Sequence, residues 1–114
     1  MKITNNINTL TKNNQFKRIY SKGKNFVSPS LVTYVIKNRQ KGIYYGITTS
    51  KKVGIAVKRN RARRLIRESF RLLAPCIKDG YSIVFVARTK TPYVKCQTVT
   101  YEMKKHLSKA GVLK

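Results

Sequence analysis

The chain has 114 residues, the size of one small domain, and sets 26 Lys and Arg against 3 Asp and Glu, for a formal net charge of +23. Ile, Leu, Val and Phe make up about 27% of it, above the roughly 20% below which a highly charged chain stays unfolded, so a core forms against like-charge repulsion that a polyanionic partner relieves. The longest apolar run, Ile83–Ala87, is too short to span a membrane, and the Asn- and Thr-rich opening lacks a signal-peptide core. Cys76 and Cys96 are too few for a disulfide scaffold, so the expectation is a reduced, cytoplasmic chain with both thiols buried.

Residues 1–11 show no apolar period and read as a flexible tail on a single domain covering residues 1–114. A helix is predicted from Lys12 to Ser21, with Phe16, Ile19 and Tyr20 on one face and Gly23 just past its end. The β-branched and aromatic stretch Phe26–Lys37 predicts a strand with Pro29 near its start. Asn38–Gly42 reads as a turn into a second strand, Ile43–Ser50, forming an antiparallel hairpin with the first. Lys51–Ala56 is a short link, and a long helix follows from Lys58 to Leu73, ended by Pro75. Asp79-Gly80 is a turn before an interior strand, Tyr81–Ala87. Pro92 is expected to open a last helix with Cys96, Val99, Met103 and Leu107 inward and Gly111 as its stop. This order describes an α+β sandwich, a small sheet with helices packed against it.

Nine of the 26 basic residues fall within the 21 positions from Lys51 to Arg71. At 100° per residue the long helix puts Ala62, Leu65, Ile66, Ser69, Phe70 and Leu73 on one arc. Asn60, Arg63, Arg64, Arg67 and Arg71 take the opposite side, with Arg61 at its edge and Glu68 the only acid, able to pair with Arg64 or Arg71. Solvated helical faces usually mix signs to gain i,i+4 pairing, and this one does not. Guanidinium forks match phosphate oxygens and stack on bases, so the face reads as a phosphate-contacting surface. Phe16, Tyr20 and Tyr34 could line a groove beside Lys17, Lys51 and Lys52 suited to stacking single-stranded bases. On the residues alone, ordinary core packing is the preferred reading of Phe16 and Tyr20.

Hydrolytic chemistry has little to work with. Glu68, Asp79 and Glu102 are scattered, and His106 is the sole histidine, read as structural, which leaves no catalytic residue and no metal site to assign. Phosphate-loop, dinucleotide and zinc motifs are missing from the sequence. On composition alone, a ribosomal protein gluing RNA helices together fits the charge as well as any other RNA binder.

The stretch Ser50-Lys51-Lys52-Val53-Gly54-Ile55-Ala56-Val57-Lys58-Arg59-Asn60-Arg61-Ala62-Arg63-Arg64-Leu65-Ile66-Arg67-Glu68 resembles the signature of the bacterial ribonuclease P protein component, whose hallmark is Arg-Asn-Arg. The likeness extends to Phe16, Tyr20, Gly23, Tyr34 and Ala87-Arg88. Two small departures are the basic pair Arg63-Arg64, where the family often has Lys-Arg, and Tyr20, where Phe is common. The resemblance implies a two-layer sandwich with a four-stranded sheet and a left-handed β-α-β crossover around the Arg-rich helix. It implies a protein that binds a catalytic RNA and the 5′ leader of precursor tRNA, in a holoenzyme whose RNA does the chemistry. Magnesium would be held mainly by that RNA, with no cofactor bound by the protein alone. The protein would be monomeric, with no membrane partner. Carried over residue by residue, Lys51, Lys52, Arg59, Asn60, Arg61, Arg63, Arg64, Arg67 and Arg71 face the catalytic RNA. Phe16, Tyr20, Tyr34, Lys17 and Arg88 form the leader cleft, which favours the groove over core packing for those aromatics, while Leu65, Ile66 and Phe70 stay in the core.

Overall fold

A computed structural model describes residues 7–39 and 41–114. Five strands, β1 (Ile7–Thr9), β2 (Lys24–Ser28), β3 (Leu31–Lys37), β4 (Ile43–Thr48) and β5 (Tyr81–Ala87), form one sheet in the order β1-β4-β5-β3-β2. Three helices, α1 (Asn13–Lys22), α2 (Ala56–Leu73) and α3 (Cys96–Lys109), pack against it. The mixed α+β class is the expected one.

Alternation along the strands explains the layering, because successive side chains point to opposite faces. Leu31 and Val35 of β3, Ile43 of β4, and Ile83, Phe85 and Ala87 of β5 join Ala62, Ile66 and Phe70 of α2 and Val99, Met103 and Leu107 of α3 in the main core. Tyr45 stacks on Phe70 at 4.2 Å in the same layer. On the other face Leu10, Ile19 and Val84 make a second, smaller core under α1, with Phe16, Tyr34, Ile36, Tyr44 and Val86 against it. Helices therefore cover both faces, where two layers were expected.

The sheet also gains a strand. Residues 7–11 fall in the expected tail, yet Ile7–Thr9 pair in parallel with Ile43–Tyr45, and the Leu10 N–H donates to the Tyr45 carbonyl at 2.8 Å. Backbone pairing and one buried leucine leave no periodic signal in a short polar segment. The remainder of the expected tail, residues 1–6, lies outside the described residues.

Four further expectations change. The predicted strand Phe26–Lys37 begins two residues earlier and folds at Pro29-Ser30 into the hairpin β2–β3. The predicted hairpin between that stretch and Ile43–Ser50 does not form: β5 inserts between β3 and β4, antiparallel to the first and parallel to the second. β5, unbroken apolar from Ile83 to Ala87, is the best central strand available, and burial on both faces outweighs the closeness of β3 and β4 in sequence. Pro92 opens only a 3₁₀ turn, Thr91–Tyr93, after which extended Val94 and Lys95 delay α3 to Cys96. Cys76 is exposed and Cys96 half-buried, so neither is the buried thiol expected. The β-α-β crossover around the Arg-rich helix is present as β4–α2–β5.

The β2–β3 turn is clamped by buried polar groups. Glu102 accepts the Ser30 N–H at 3.0 Å, and the Thr91 hydroxyl donates to the Ser30 carbonyl at 2.7 Å. His106, 3% exposed, meets the hydroxyls of Ser28 and Thr33 at 2.7 and 2.8 Å through its two ring nitrogens. A neutral imidazole suits this pair, one nitrogen donating and the other accepting. Its pKa is lowered from 6.5 to about 4, first by burial and then by the charges of Lys109 and Lys105. The unfolded chain takes up this proton near its ordinary pKa and the folded chain only near the lowered one. Stability is therefore fully present above pH 6.5 and is lost as pH falls toward 4. The urea midpoint should drop on going from about pH 7 to about pH 5, and His106→Gln should flatten that dependence; an equal drop in the variant would show that His106 is not the group responsible.

Candidate nucleic-acid interface

Because β4 and β5 run parallel, α2 between them must run back against both, so it starts where the strands end. The entry is built from short-range rules. The Ser50 hydroxyl accepts the Lys52 N–H at 3.3 Å and caps a 3₁₀ turn, Lys51–Val53, whose Val53 is buried while Lys51 and Lys52 are exposed. Gly54 follows at φ 137°, a conformation essentially reserved for glycine, and turns the chain into α2.

The basic residues of α2 divide into anchored and outward groups. Arg59 donates to the Gly54 carbonyl at 2.6 Å, Arg61 to the Pro92 carbonyl at 2.7 Å, and Arg63 to Thr49 Oγ1 at 2.7 Å and Asn60 Oδ1 at 2.5 Å. All four acceptors are neutral, so these contacts orient the guanidiniums without cancelling their charge. Arg64 and Arg67 are exposed and have no protein partner among the described residues. Arg71, one of the two partners expected for Glu68, reaches it at 3.4 Å, and both are exposed, so the pair contributes about 0–1 kcal/mol. It is the only ion pair among the described residues. The opposite arc is core, with Ala62, Ile66, Ser69 and Phe70 buried and Leu65 and Leu73 partly so.

On the other face of the sheet, register sorts the side chains into three rows across the strands. The middle row is Gly46, Val84, Tyr34 and Asn25; the outer row, toward the ends of β4 and β5, is Thr48, Val86, Val32 and Val27; the inner row is Tyr44, Ser82 and Ile36. Helix α1 lies along the middle row. Its Phe16 ring covers Gly46, where a Cβ would come within 2.5 Å of the ring, and its closing Gly23 approaches the Val35 carbonyl. Tyr20 meets Tyr34 edge-on with centroids 4.9 Å apart, and its hydroxyl shares a hydrogen bond with Thr48 at 3.1 Å. Phe16 and Tyr34 are half-buried and Tyr20 is 38% exposed, so the aromatics serve the small core and also rim an open trough floored by the outer row.

Lys17 is exposed on α1, and Arg88 just past β5 donates to the Ser28 carbonyl at 2.9 Å. Thr48, the last residue of β4, and Thr49 just past it join the two surfaces: one holds Tyr20 of the trough, the other Arg63 of the helix. The structure thus gathers Tyr20, Lys51, Lys52, Arg63 and Arg88 at one end of the sheet, while Arg71 sits toward the far end of α2. Sequence reading missed Thr48, Thr49, Gly46 and the outer valines. A glycine inside a strand pattern signals close approach and could have revealed Gly46. Among the described residues no group of three His, Cys, Asp or Glu side chains is placed to hold a metal ion.

Comparison with known proteins finds relatives of a single family. A family model described as Ribonuclease P matches residues 5–111. The chain is 47% identical over 83 residues to a protein named ribonuclease P protein component from Clostridioides difficile, covering 72% of this chain and 73% of that protein. To the protein of that name from Clostridium botulinum (strain Loch Maree / Type A3) it is 40% identical over 106 residues, covering 92% and 96%. Among solved structures, the Staphylococcus aureus RNase P protein superimposes with a TM-score of 0.82 at 31% identity, covering 93% of this chain and 97% of that one. The Thermotoga maritima RNase P protein gives 0.75 at 29% identity, covering 85% and 92%.

Gly46→Ala should force the Phe16 ring off β4 and destabilise the fold by about 1–3 kcal/mol in urea denaturation. Phe16→Leu in that background should recover part of the loss, whereas strictly additive effects would show that the two residues do not share this contact.

Proposed function

The chain belongs to the ribonuclease P protein family, and from that premise we propose how its surfaces divide the work. It is an RNA-binding subunit of an endoribonuclease, working with a ribonuclease P RNA on precursor tRNA to remove 5′ leaders. In our reading the basic face of α2, with Lys51 and Lys52, lies on the catalytic RNA. Arg59, Asn60, Arg61 and Arg63 form a preorganised patch, while Arg64, Arg67 and Arg71 reach outward to phosphates. The trough of Phe16, Tyr20 and Tyr34, flanked by Lys17 and Arg88, takes the single-stranded leader.

One observation carries this reading: the acid-poor helix and the aromatic trough open at the same end of the sheet, joined through Thr48 and Thr49. An RNA lying on α2 is thereby placed beside a strand lying in the trough. We assign the hydrolysis to the RNA, with magnesium held mainly by it. The donor set supports this assignment: Glu68, Asp79 and Glu102 occupy separate elements, and both nitrogens of the buried His106 are engaged. The protein neutralises crowded phosphates, which lowers the magnesium the RNA requires, and its trough adds binding to leader-bearing precursor that mature tRNA cannot share. We place it in the cytoplasm as a monomer. Among the described residues no helix is long and apolar enough to cross a membrane.

Arg64→Ala with Arg67→Ala should weaken assembly with the RNA and reduce the slope of log affinity against log salt by about 0.7–0.9 per lost phosphate contact; an unchanged slope removes these two from the interface. Phe16→Ala should weaken binding of precursor by about 1–3 kcal/mol while leaving mature tRNA unaffected, in a variant whose folding is verified first. Equal losses on both substrates would contradict the leader assignment.

A further inference from the structure

By lying along the middle row, α1 divides this face of the sheet into two troughs, and the leader reading uses only one. Beyond the helix, the inner row of Tyr44, Ser82 and Ile36 floors a cavity of about 730 Å³, within the roughly 300–1,000 Å³ usual for ligand sites. Arg18 of α1 and Lys37 and Arg39 at the end of β3 line it, and none of the chain's three carboxylates does. The side chains of these three cations have no hydrogen-bond or ion-pair acceptor among the described residues.

Polar groups stand beside them. Gln15 spends its Oε1 on the N–H groups of Thr11 and Lys12, which leaves its amide NH₂ to donate. Ser82 accepts from the Asn38 amide at 3.0 Å and keeps its own hydroxyl proton. Apolar surface from Tyr44 and Ile36, hydrogen-bonding groups that read an edge, and uncompensated cations are together what a nucleotide requires: base, sugar and phosphate each find a counterpart.

We propose that this cavity is a second single-stranded RNA site, and that its occupant is the upstream part of the precursor's leader, after that strand has left the aromatic trough and passed α1. The inference rests on the leader reading of that trough. Both troughs lie on the α1 face of the sheet, whereas the helix assigned to the catalytic RNA packs on the opposite face. Inner and outer rows are four residues apart along each strand, about 13 Å, little more than the width of the helix between them.

The test uses holoenzyme reconstituted from the full chain and a bacterial ribonuclease P RNA, titrated with precursors whose leaders are about four or about sixteen nucleotides long, the range that single-strand sites cover. Wild type should bind the long-leader precursor about tenfold more tightly than the short. Arg18→Ala with Arg39→Ala should bring the two to parity and lower the salt slope for the long leader by about 1.4, at about 0.7 per contact. Short-leader precursor and mature tRNA should bind this variant as they bind wild type. A length advantage that survives in the variant overturns the second site and leaves the aromatic trough standing. Losses that extend to mature tRNA, or no length advantage in wild type, overturn it as well. Phe16→Ala in parallel reports the trough separately, because failure of that reading appears as undiminished binding of the short-leader precursor.

Discussion

The parallel pairing of β4 with β5 is the constraint from which the arrangement of the surfaces follows. Two adjacent parallel strands need a crossover, and the only chain available is Thr49–Gly80. Its helix must start at the strand ends and run back, which delivers the densest run of arginines to the edge where the sheet's other face is open. Had β3 and β4 formed a hairpin, α2 would leave the sheet elsewhere and the basic helix and aromatic trough would not adjoin. The position of β5 is in turn a matter of burial: Ile83, Val84 and Phe85 are fully enclosed, one or more on each face, and no other strand could occupy the centre at so little cost.

A chain with +23 charges and a single ion pair among its described residues holds its cations by other means. Arg59, Arg61, Arg63 and Arg88 all donate to neutral oxygens from backbone, threonine or asparagine. Such bonds restrict the side chains, which reduces the rotamer entropy lost on binding, while the full positive charge remains for phosphate. Carboxylate partners would have oriented the arginines as well but would compete with the ligand. The cost is self-repulsion in the free protein, borne by a core that α2 and α3 build together on one side of the sheet.

Buried polar groups secure α3 to the sheet beneath these charges. His106 and Glu102 are withdrawn from solvent to tie α3 to the β2–β3 turn. That use removes the sole histidine and one of three carboxylates from any surface chemistry and gives them a packing role. Among the described residues no buried side-chain nitrogen or oxygen lacks a hydrogen-bond partner, as a small domain of this charge needs if it is to stay folded.

Sequence determined the local features. The two faces of α2, the apolar β5, the cap at Gly23 and the stop of α2 before Pro75 follow from spacing and backbone chemistry within a few residues, and the structure has each of them. The run from Ser50 to Glu68 carries the family, and Phe16, Tyr20 and Tyr34 were legible as an aromatic group. Tertiary structure alone decided strand order, the pairing of residues 7–9, the burial of His106 and Glu102, and which arginines are anchored. These depend on contacts between residues far apart in the chain, such as Ser28 with His106 and Thr49 with Arg63, whose energies come from burial and hydrogen-bond geometry that no local pattern encodes. The division of the sheet face into two troughs is of the same kind: it exists because Gly46 admits the Phe16 ring, a fit between two elements rather than a property of either.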